Sequence, residues 1–143
     1  MTEADPTPNW EQLRDRARSL AARAYAPYSN VRVGAAALVD DGRIVAGCNV
    51  ENASYGLSLC AECSLASDLT GSGGGRLVAL SVVGGDGSYL APCGRCRQIL
   101  FELGGPNLLI DAGDRVLTLD DLLPEAFGPD DVATRHDPPE SHP

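Results

Sequence analysis

Two short motifs decide how this chain is best interpreted: Cys60-Ala61-Glu62 and Pro92-Cys93-Gly94-Arg95-Cys96. Cys93 and Cys96 are one helical turn apart, so both sulfurs can face one ion, and Cys60 can supply a third thiolate. Thiolates are ligands that Zn²⁺ prefers. Because three protein ligands leave the fourth tetrahedral position for water, the pattern predicts a catalytic zinc site.

Glu62 lies two residues beyond Cys60, so it points to another side of the chain and need not bind the metal. It can instead reach a water in the fourth position. Zinc lowers the pKa of such a water toward ~7, and a carboxylate can carry its proton. A Cys or His followed two residues later by Glu, with Pro-Cys-x-x-Cys downstream, is the general pattern of zinc deaminases.

The alternative is a closed structural site in which Cys63 is a fourth ligand. The pairs Cys60-x-x-Cys63 and Cys93-x-x-Cys96 both have suitable spacing. However, residues 64–92 between the pairs are long for a small zinc ribbon, and they include a predicted helix and strand. A chain with this much core also has little need of zinc to fold. The sequence therefore favours the catalytic site, with Cys63 outside it.

Composition indicates one soluble domain of ordinary make-up. The chain has 143 residues, of which 43% are apolar, and its formal charge is −9. This acidity argues against a nucleic-acid partner, and no apolar run is long enough to span a membrane. A polar N-terminus is not a signal peptide, so we expect a cytoplasmic protein. In that compartment, five cysteines indicate metal binding or catalysis rather than disulfides.

Hydrophobic spacing predicts the order α-β-β-α-β-α-β-β. Asn9 is expected to cap the first helix, whose arginines, Arg14 among them, are expected to form a solvated face. The predicted segments are a helix from Trp10 that ends before Pro27, strands at 33–39, 44–48, 77–83, 108–111 and 116–119, and helices at 58–69 and 93–103. Residues 1–8 and 128–143 are predicted to be disordered around a single domain at 9–127. His136 and His142 fall in that tail and are not expected to bind the metal.

Several motifs in order resemble the cytidine deaminases of the short, homotetrameric type. The resemblance runs from about Tyr25 to Phe127. It is carried by Ala-Tyr-Ala-Pro-Tyr-Ser at 24–29, Val-Gly-Ala-Ala at 33–36, Gly-Cys-Asn-Val-Glu-Asn-Ala-Ser-Tyr at 47–55, Cys-Ala-Glu at 60–62, Pro-Cys-Gly-Arg-Cys-Arg-Gln at 92–98 and Leu-Leu-Pro-Glu-Ala-Phe at 122–127. It implies one Zn²⁺ per subunit and a three-layer α/β/α sandwich around a mixed five-stranded sheet.

The resemblance also implies roles for individual residues. Asn49 and Glu51 would bind the ribose hydroxyls, and their alternation puts both side chains on one face. The backbone of Ala61 would contact the pyrimidine carbonyl, and the carbonyl of Ala91 would receive the leaving amine. On its own, an Asn-x-Glu sequence is also typical of a solvated turn.

Two aromatic residues and one aliphatic residue complete the implied pocket. Tyr55 and Phe127 would reach the pocket of a neighbouring subunit, although isolated aromatic residues more often lie in the core. Val31 would form part of the substrate wall at a position where the family usually has Phe.

The position of Cys63 also departs from the family, which often has an Arg there that donates to the metal thiolates. Three thiolates on Zn²⁺ leave a net charge of −1, which donors to sulfur offset. Arg95, between two ligands, is expected to take over this role, with a surface ion pair as the alternative.

The resemblance implies hydrolytic deamination of cytidine and deoxycytidine to uridine and deoxyuridine, in pyrimidine salvage. Water activated on zinc would attack C4 of the ring while Glu62 carries its proton. Alternatives are a deaminase of a related cytosine nucleoside such as blasticidin S, or a non-catalytic four-cysteine zinc module. Expected partners are a small nucleoside and further copies of the chain in a homotetramer, without nucleic acid or membrane.

Overall fold

A computed structural model describes residues 4–135 of the protein. A single turn of 3-10 helix at Tyr55–Leu57 precedes the second helix. The helices are α1 (Trp10–Ala21), α2 (Ala61–Gly71), α3 (Gly94–Gly104), α4 (Leu119–Leu122) and α5 (Pro129–Ala133), and the strands are β1 (Val33–Val39), β2 (Ile44–Cys48), β3 (Leu77–Gly84), β4 (Leu109–Asp111) and β5 (Val116–Thr118).

The strands form one mixed sheet in the order β2-β1-β3-β4-β5. β1 pairs antiparallel with β2 and with β3, β3 pairs parallel with β4, and β4 pairs antiparallel with β5. The turn after β1 contains Asp41 and Gly42, and Gly42 has a φ of 92°, which glycine adopts without strain. The predicted mixed five-stranded sheet is confirmed.

Both faces of the sheet are covered. Alternate side chains of a strand point to opposite faces, and β1 follows this rule. Its Ala36 packs in one core with Ala17 of α1, while its Ala37 packs in the other core with Leu65 of α2 and Leu100 of α3. The three-layer α/β/α arrangement is therefore confirmed. Within residues 4–135, no helix combines the length and the apolar character needed to cross a membrane.

The two helices that follow the cysteine motifs begin later than predicted. Cys60 and Cys93 were expected inside first turns, but both are N-cap residues with extended backbones, at ψ of 159° and 170°. The helices begin at Ala61 and Gly94. Propensity alone does not distinguish a cap from the first helical residue, and helix ends are the least determined part of a sequence pattern.

The C-terminal segment was expected to be disordered from residue 128, and this is wrong for its first part. Pro129–Ala133 forms α5, in which Pro129 suits the first turn and the carboxylate of Asp131 accepts from Gly128 N at 2.9 Å. His136 and His142 lie outside the described residues.

At the N-terminal end, residues 4–9 form no helix or strand, and Arg76 donates to Asp5 at 2.5 Å.

Arg14 does not belong to a solvated face as expected. Its guanidinium donates twice to the buried carboxylate of Asp111, at 2.8 Å each, and so ties α1 to the end of β4. Ser81 Oγ and Gly113 N also donate to Asp111, at 2.9 and 3.0 Å. Burial opposes ionisation of Asp111, but these hydrogen bonds and the Arg14 charge outweigh it and lower the pKa of the carboxyl. Sequence spacing cannot reveal such a pairing.

Candidate metal centre and active site

Three thiols converge where α2 and α3 begin. Cys60 caps α2, Cys93 caps α3, and Cys96 lies in the first turn of α3 with its side chain buried. Their Sγ atoms all lie within 4.8 Å of one another, and Cys63 is not part of this group. The fold therefore does not bring all four cysteines together at one site.

The geometry of these thiols fits zinc. All three cysteines are free, and the Sγ atoms of Cys60 and Cys93 are 3.9 Å apart, beyond any disulfide bond. Two sulfurs bound at about 2.3 Å to one tetrahedral ion would be about 3.8 Å apart, so little movement is required. Three soft ligands and room for a fourth define an open zinc site. Zn²⁺ is the cofactor that this cluster fits.

The protein environment acts differently on the three thiols. The backbone N–H of Cys96 is the main cause that lowers the pKa of Cys93, as expected for a residue at a helix N-terminus. Burial raises the pKa of Cys60, although this residue also lies at a helix N-terminus. Burial and the adjacent charge of Glu62 raise the pKa of Cys96 still further. At these two positions the metal must itself favour the thiolate.

Glu62 lies directly beside the cysteine cluster. It occupies the first turn of α2, and only 4% of its surface is exposed. The Cys96 thiol donates to its Oε2 at 3.3 Å. A thiolate has no proton to donate, so ligation of a metal by Cys96 ends this hydrogen bond and releases the carboxylate oxygen. Glu62 is thus placed next to the ligands without being one of the three.

A cavity of about 320 Å³ opens onto this centre. Cys60, Glu62 and Cys93 line it, whereas Cys96 is fully buried. The cavity also brings together the residues predicted to contact substrate, except the two aromatic ones: it is lined by Val31, Asn49, Glu51, Ala61 and Ala91. Val31 is 56% exposed, so it forms the rim of the cavity rather than a closed wall.

Asn49 and Glu51 follow β2 and face the same cavity, as their alternation predicts. The Asn49 side chain accepts from Val33 N and donates to the Val31 carbonyl, both at 2.8 Å. Glu51 accepts from Tyr28 N at 2.9 Å. Both side chains therefore also hold the loop that precedes β1, so they form an ordered site rather than a freely solvated turn.

Tyr55 and Phe127 lie outside this cavity. They are 75% and 62% exposed, so neither belongs to the core of its own chain. Tyr55 contacts Tyr28 edge to face, with ring centroids 5.8 Å apart. Gln98 donates to the Phe127 carbonyl at 2.7 Å and so anchors the segment that carries the ring. These two rings are free to contact another molecule.

Arg95 does not make the contact expected of it. Its Nη2 donates to Cys63 Sγ at 3.2 Å, and the structure gives it no hydrogen bond to the three clustered thiols. Its charge still lies close enough to act on Cys60 and Cys96. Cys63 and Arg95 therefore form a pair beside the metal centre, in which Cys63 orients the guanidinium.

Sequence reasoning missed two residues that support the site. Ser29 donates to Glu51 Oε2 at 2.5 Å, although the motif at residues 24–29 that contains it predicted no role for its side chain. Arg97, directly after a ligand, donates to the carbonyls of Pro92 and Leu122 at 2.8 Å each. A charged residue within a metal-binding motif indicates a supporting role. Its hydrogen-bond partners, however, depend on how α3 packs against the C-terminal segment, which the sequence does not show.

Proteins of known family share both this sequence and this fold. Residues 8–111 match the family model of the cytidine and deoxycytidylate deaminase zinc-binding region. A cytidine deaminase from Mycobacterium tuberculosis is 61% identical over 127 residues, covering 89% of this chain and 96% of the relative.

Solved structures extend the similarity to the backbone. A crystal structure of the M. tuberculosis enzyme superimposes with a TM-score of 0.84 and covers 85% of this chain and 99% of its own. The cytidine deaminase from Burkholderia pseudomallei, 44% identical, superimposes with a TM-score of 0.75 and covers 85% of this chain and 100% of its own. With its zinc-binding cysteines and adjacent glutamate, the chain belongs to the cytidine deaminase family of hydrolytic enzymes.

Proposed function

We propose that this protein deaminates cytidine and deoxycytidine to uridine and deoxyuridine. The observation that carries the proposal is the single cavity in which a three-cysteine cluster and Glu62 share a lining with Asn49 and Glu51. A volume of about 320 Å³ lies at the lower end for small-molecule sites, which suits a compact nucleoside. The 61% identical relative carries the name of this activity.

The reaction replaces the exocyclic amine of the ring by oxygen. Cys60, Cys93 and Cys96 would hold zinc, which would act as a Lewis acid toward the attacking water. Glu62 accepts the proton of the attacking water, delivers it to N3 and then assists the departure of ammonia. A C4–O bond forms and the C4–N4 bond breaks, so cytidine and water become uridine and ammonia. The 4% exposure of Glu62 keeps this proton away from bulk solvent.

The remaining cavity residues are proposed to hold the substrate. Asn49 and Glu51 bind sugar hydroxyls, the backbone of Ala61 contacts the ring carbonyl, and the carbonyl of Ala91 receives the leaving amine. Their common position along one cavity supports these roles. Val31, on the rim, would contact one side of the substrate without enclosing it.

We further propose a homotetramer with pockets shared between subunits. Tyr55 and Phe127, both exposed, are the residues expected to enter a neighbour's pocket. Light scattering of the purified protein should then give about four chains. Phe127→Ala should raise KM through loss of stacking on the base, whereas a fully active monomer would contradict the proposal.

Pyrimidine salvage in the cytoplasm is the setting we propose for this activity. The five cysteines are all free, as expected in a reducing compartment. An assay of ultraviolet absorbance on addition of cytidine, with ammonia release measured in parallel, tests the function. Turnover of blasticidin S in place of cytidine would favour the related-nucleoside alternative. If the zinc-loaded protein turned over neither cytidine nor blasticidin S, the result would favour the non-catalytic zinc module.

A further inference from the structure

The carboxylate of Glu51 is held by one short loop. Tyr28 N and Ser29 N both donate to its Oε1, at 2.9 and 3.1 Å, and Ser29 Oγ donates to its Oε2 at 2.5 Å. We propose that Ser29 is a positioning residue, which turns one open acceptor site of Glu51 toward a sugar hydroxyl of the substrate. This inference rests on the proposed function, because it assumes that Glu51 binds the sugar.

Counting acceptor sites explains why Ser29 matters. An ionised carboxylate offers about four acceptor positions, two on each oxygen. Two backbone donors occupy Oε1 of Glu51, and the Ser29 hydroxyl occupies one position on Oε2. One position therefore remains, on Oε2, in a residue that lines the cavity. Without the hydroxyl, Oε2 has no protein donor among residues 4–135 and can rotate away from this direction.

The orientation of the Ser29 hydroxyl is itself set by the loop. Its oxygen accepts from Val31 N at 3.0 Å, so its own proton is directed to the carboxylate. Ser29 thereby connects Glu51 to Val31 at the rim of the cavity. The same hydroxyl is the largest cause that lowers the pKa of Glu51, as expected for a donor to the ionised carboxylate.

The test compares two substrates that differ only in the sugar. Cytidine has ring hydroxyls on its ribose, and 2′,3′-dideoxycytidine lacks them. Ser29→Ala should raise KM for cytidine by about tenfold or more with kcat within about twofold, since a hydrogen bond to a charged group is disrupted. For the dideoxy compound, kcat/KM, measured at high enzyme concentration, should stay within about twofold.

Matched variants separate positioning from a general effect. Ser29→Thr retains the hydroxyl and should restore the KM for cytidine. Ser88 offers a control, because its hydroxyl donates to Asp86 at 2.6 Å and its backbone N–H at 3.0 Å, which reproduces the serine–carboxylate pairing away from the cavity. Ser88→Ala should leave both substrates unaffected. Zinc content should be one per chain in every variant.

Two results would overturn the inference. One is an equal loss on both substrates in Ser29→Ala, which would make Ser29 a structural residue only. The other is an unchanged KM for cytidine in that variant. Failure of the proposed function is distinguishable, because it would appear in the unmodified protein as absence of cytidine turnover.

Discussion

Replacement of Gly47 by alanine should distort the metal centre indirectly, through displacement of α2. Gly47 lies in β2 beneath the first turns of α2. A Cβ at this position would lie 2.5 Å from both the Ala61 carbonyl oxygen and Leu65 N. Ordinary contacts of carbon begin near 3.5 Å, so α2 would have to retreat by about 1 Å. Both contacts are backbone atoms, so no side-chain rotation can relieve them.

That movement would separate the two halves of the site. α2 carries Cys60 and Glu62, whereas Cys93 and Cys96 belong to α3. A displacement of about 1 Å in a catalytic group can reduce the rate by about 100-fold. We therefore expect Gly47→Ala to lower kcat/KM for cytidine to this extent and to weaken zinc binding. Overpacking should also reduce the free energy of unfolding by about 1–3 kcal/mol.

Gly104→Ala provides the control. Its Cβ would also be crowded, at 3.0 Å from the Leu108 side chain and 3.1 Å from the Leu77 carbonyl oxygen. Gly104 ends α3, about 15 Å along the helix from its start. This variant should lose stability but keep zinc and kcat/KM. Metal analysis gives the zinc content of both variants, steady-state kinetics their kcat/KM, and thermal unfolding their stability. Full zinc content and normal kcat/KM in Gly47→Ala would refute the reasoning.

Three further predictions concern single side chains. Glu62→Gln should keep zinc and fold but lose turnover by about 10²–10⁴-fold, because the amide cannot carry the proton; near-normal kinetics would remove Glu62 from the reaction. Cys63→Ser should retain one zinc per chain and most activity, while Arg95→Ala should slow turnover or weaken zinc binding by about tenfold; metal loss in Cys63→Ser alone would restore the four-cysteine site. Asp111 has a pKa below its unfolded value, so its contribution to stability is full above about pH 5 and is lost as the pH falls through the folded pKa. Asp111→Asn should therefore flatten the acid side of the stability profile measured by denaturant unfolding, and an unchanged profile would show that its pairing with Arg14 does not govern acid stability.

Local chemistry made much of the fold predictable. A strand was predicted at residues 33–39, and β1 occupies these residues with side chains buried on both faces of the sheet. The spacing of Thr118 and Asp121 is typical of a capping box, and they form one at the start of α4, with bonds of 3.3 and 2.9 Å. These features depend on residues close in sequence, so the pattern contains all the necessary information. The cysteine cluster was predictable for a different reason. The spacing of the three cysteines in the two motifs is typical of ligands to one metal ion.

What could not be predicted depends on contacts between distant elements. Arg95 was expected to face the ligand thiols, but it donates to Cys63, because the packing of α2 against α3 decides which sulfur the guanidinium reaches. Arg14 pairs with Asp111 near the other end of the chain. Likewise, a helix N-terminus favours thiolate, but burial raises the pKa of Cys60, and the sequence alone does not show that this side chain is buried.

The positions of the cysteines at helix caps have a consequence for the whole site. Cys60 and Cys93 are the N-cap residues of α2 and α3, so both lie at the positive ends of helix dipoles. These fixed dipoles offset part of the excess negative charge that three thiolates place on a divalent ion. Glu62 lies in one of the same first turns, so one proposed ligand and the proposed proton carrier share α2, while the other two proposed ligands share α3. The spacing of two helices therefore determines metal geometry and proton transfer together, and at Gly47 that spacing depends on the absence of a single Cβ.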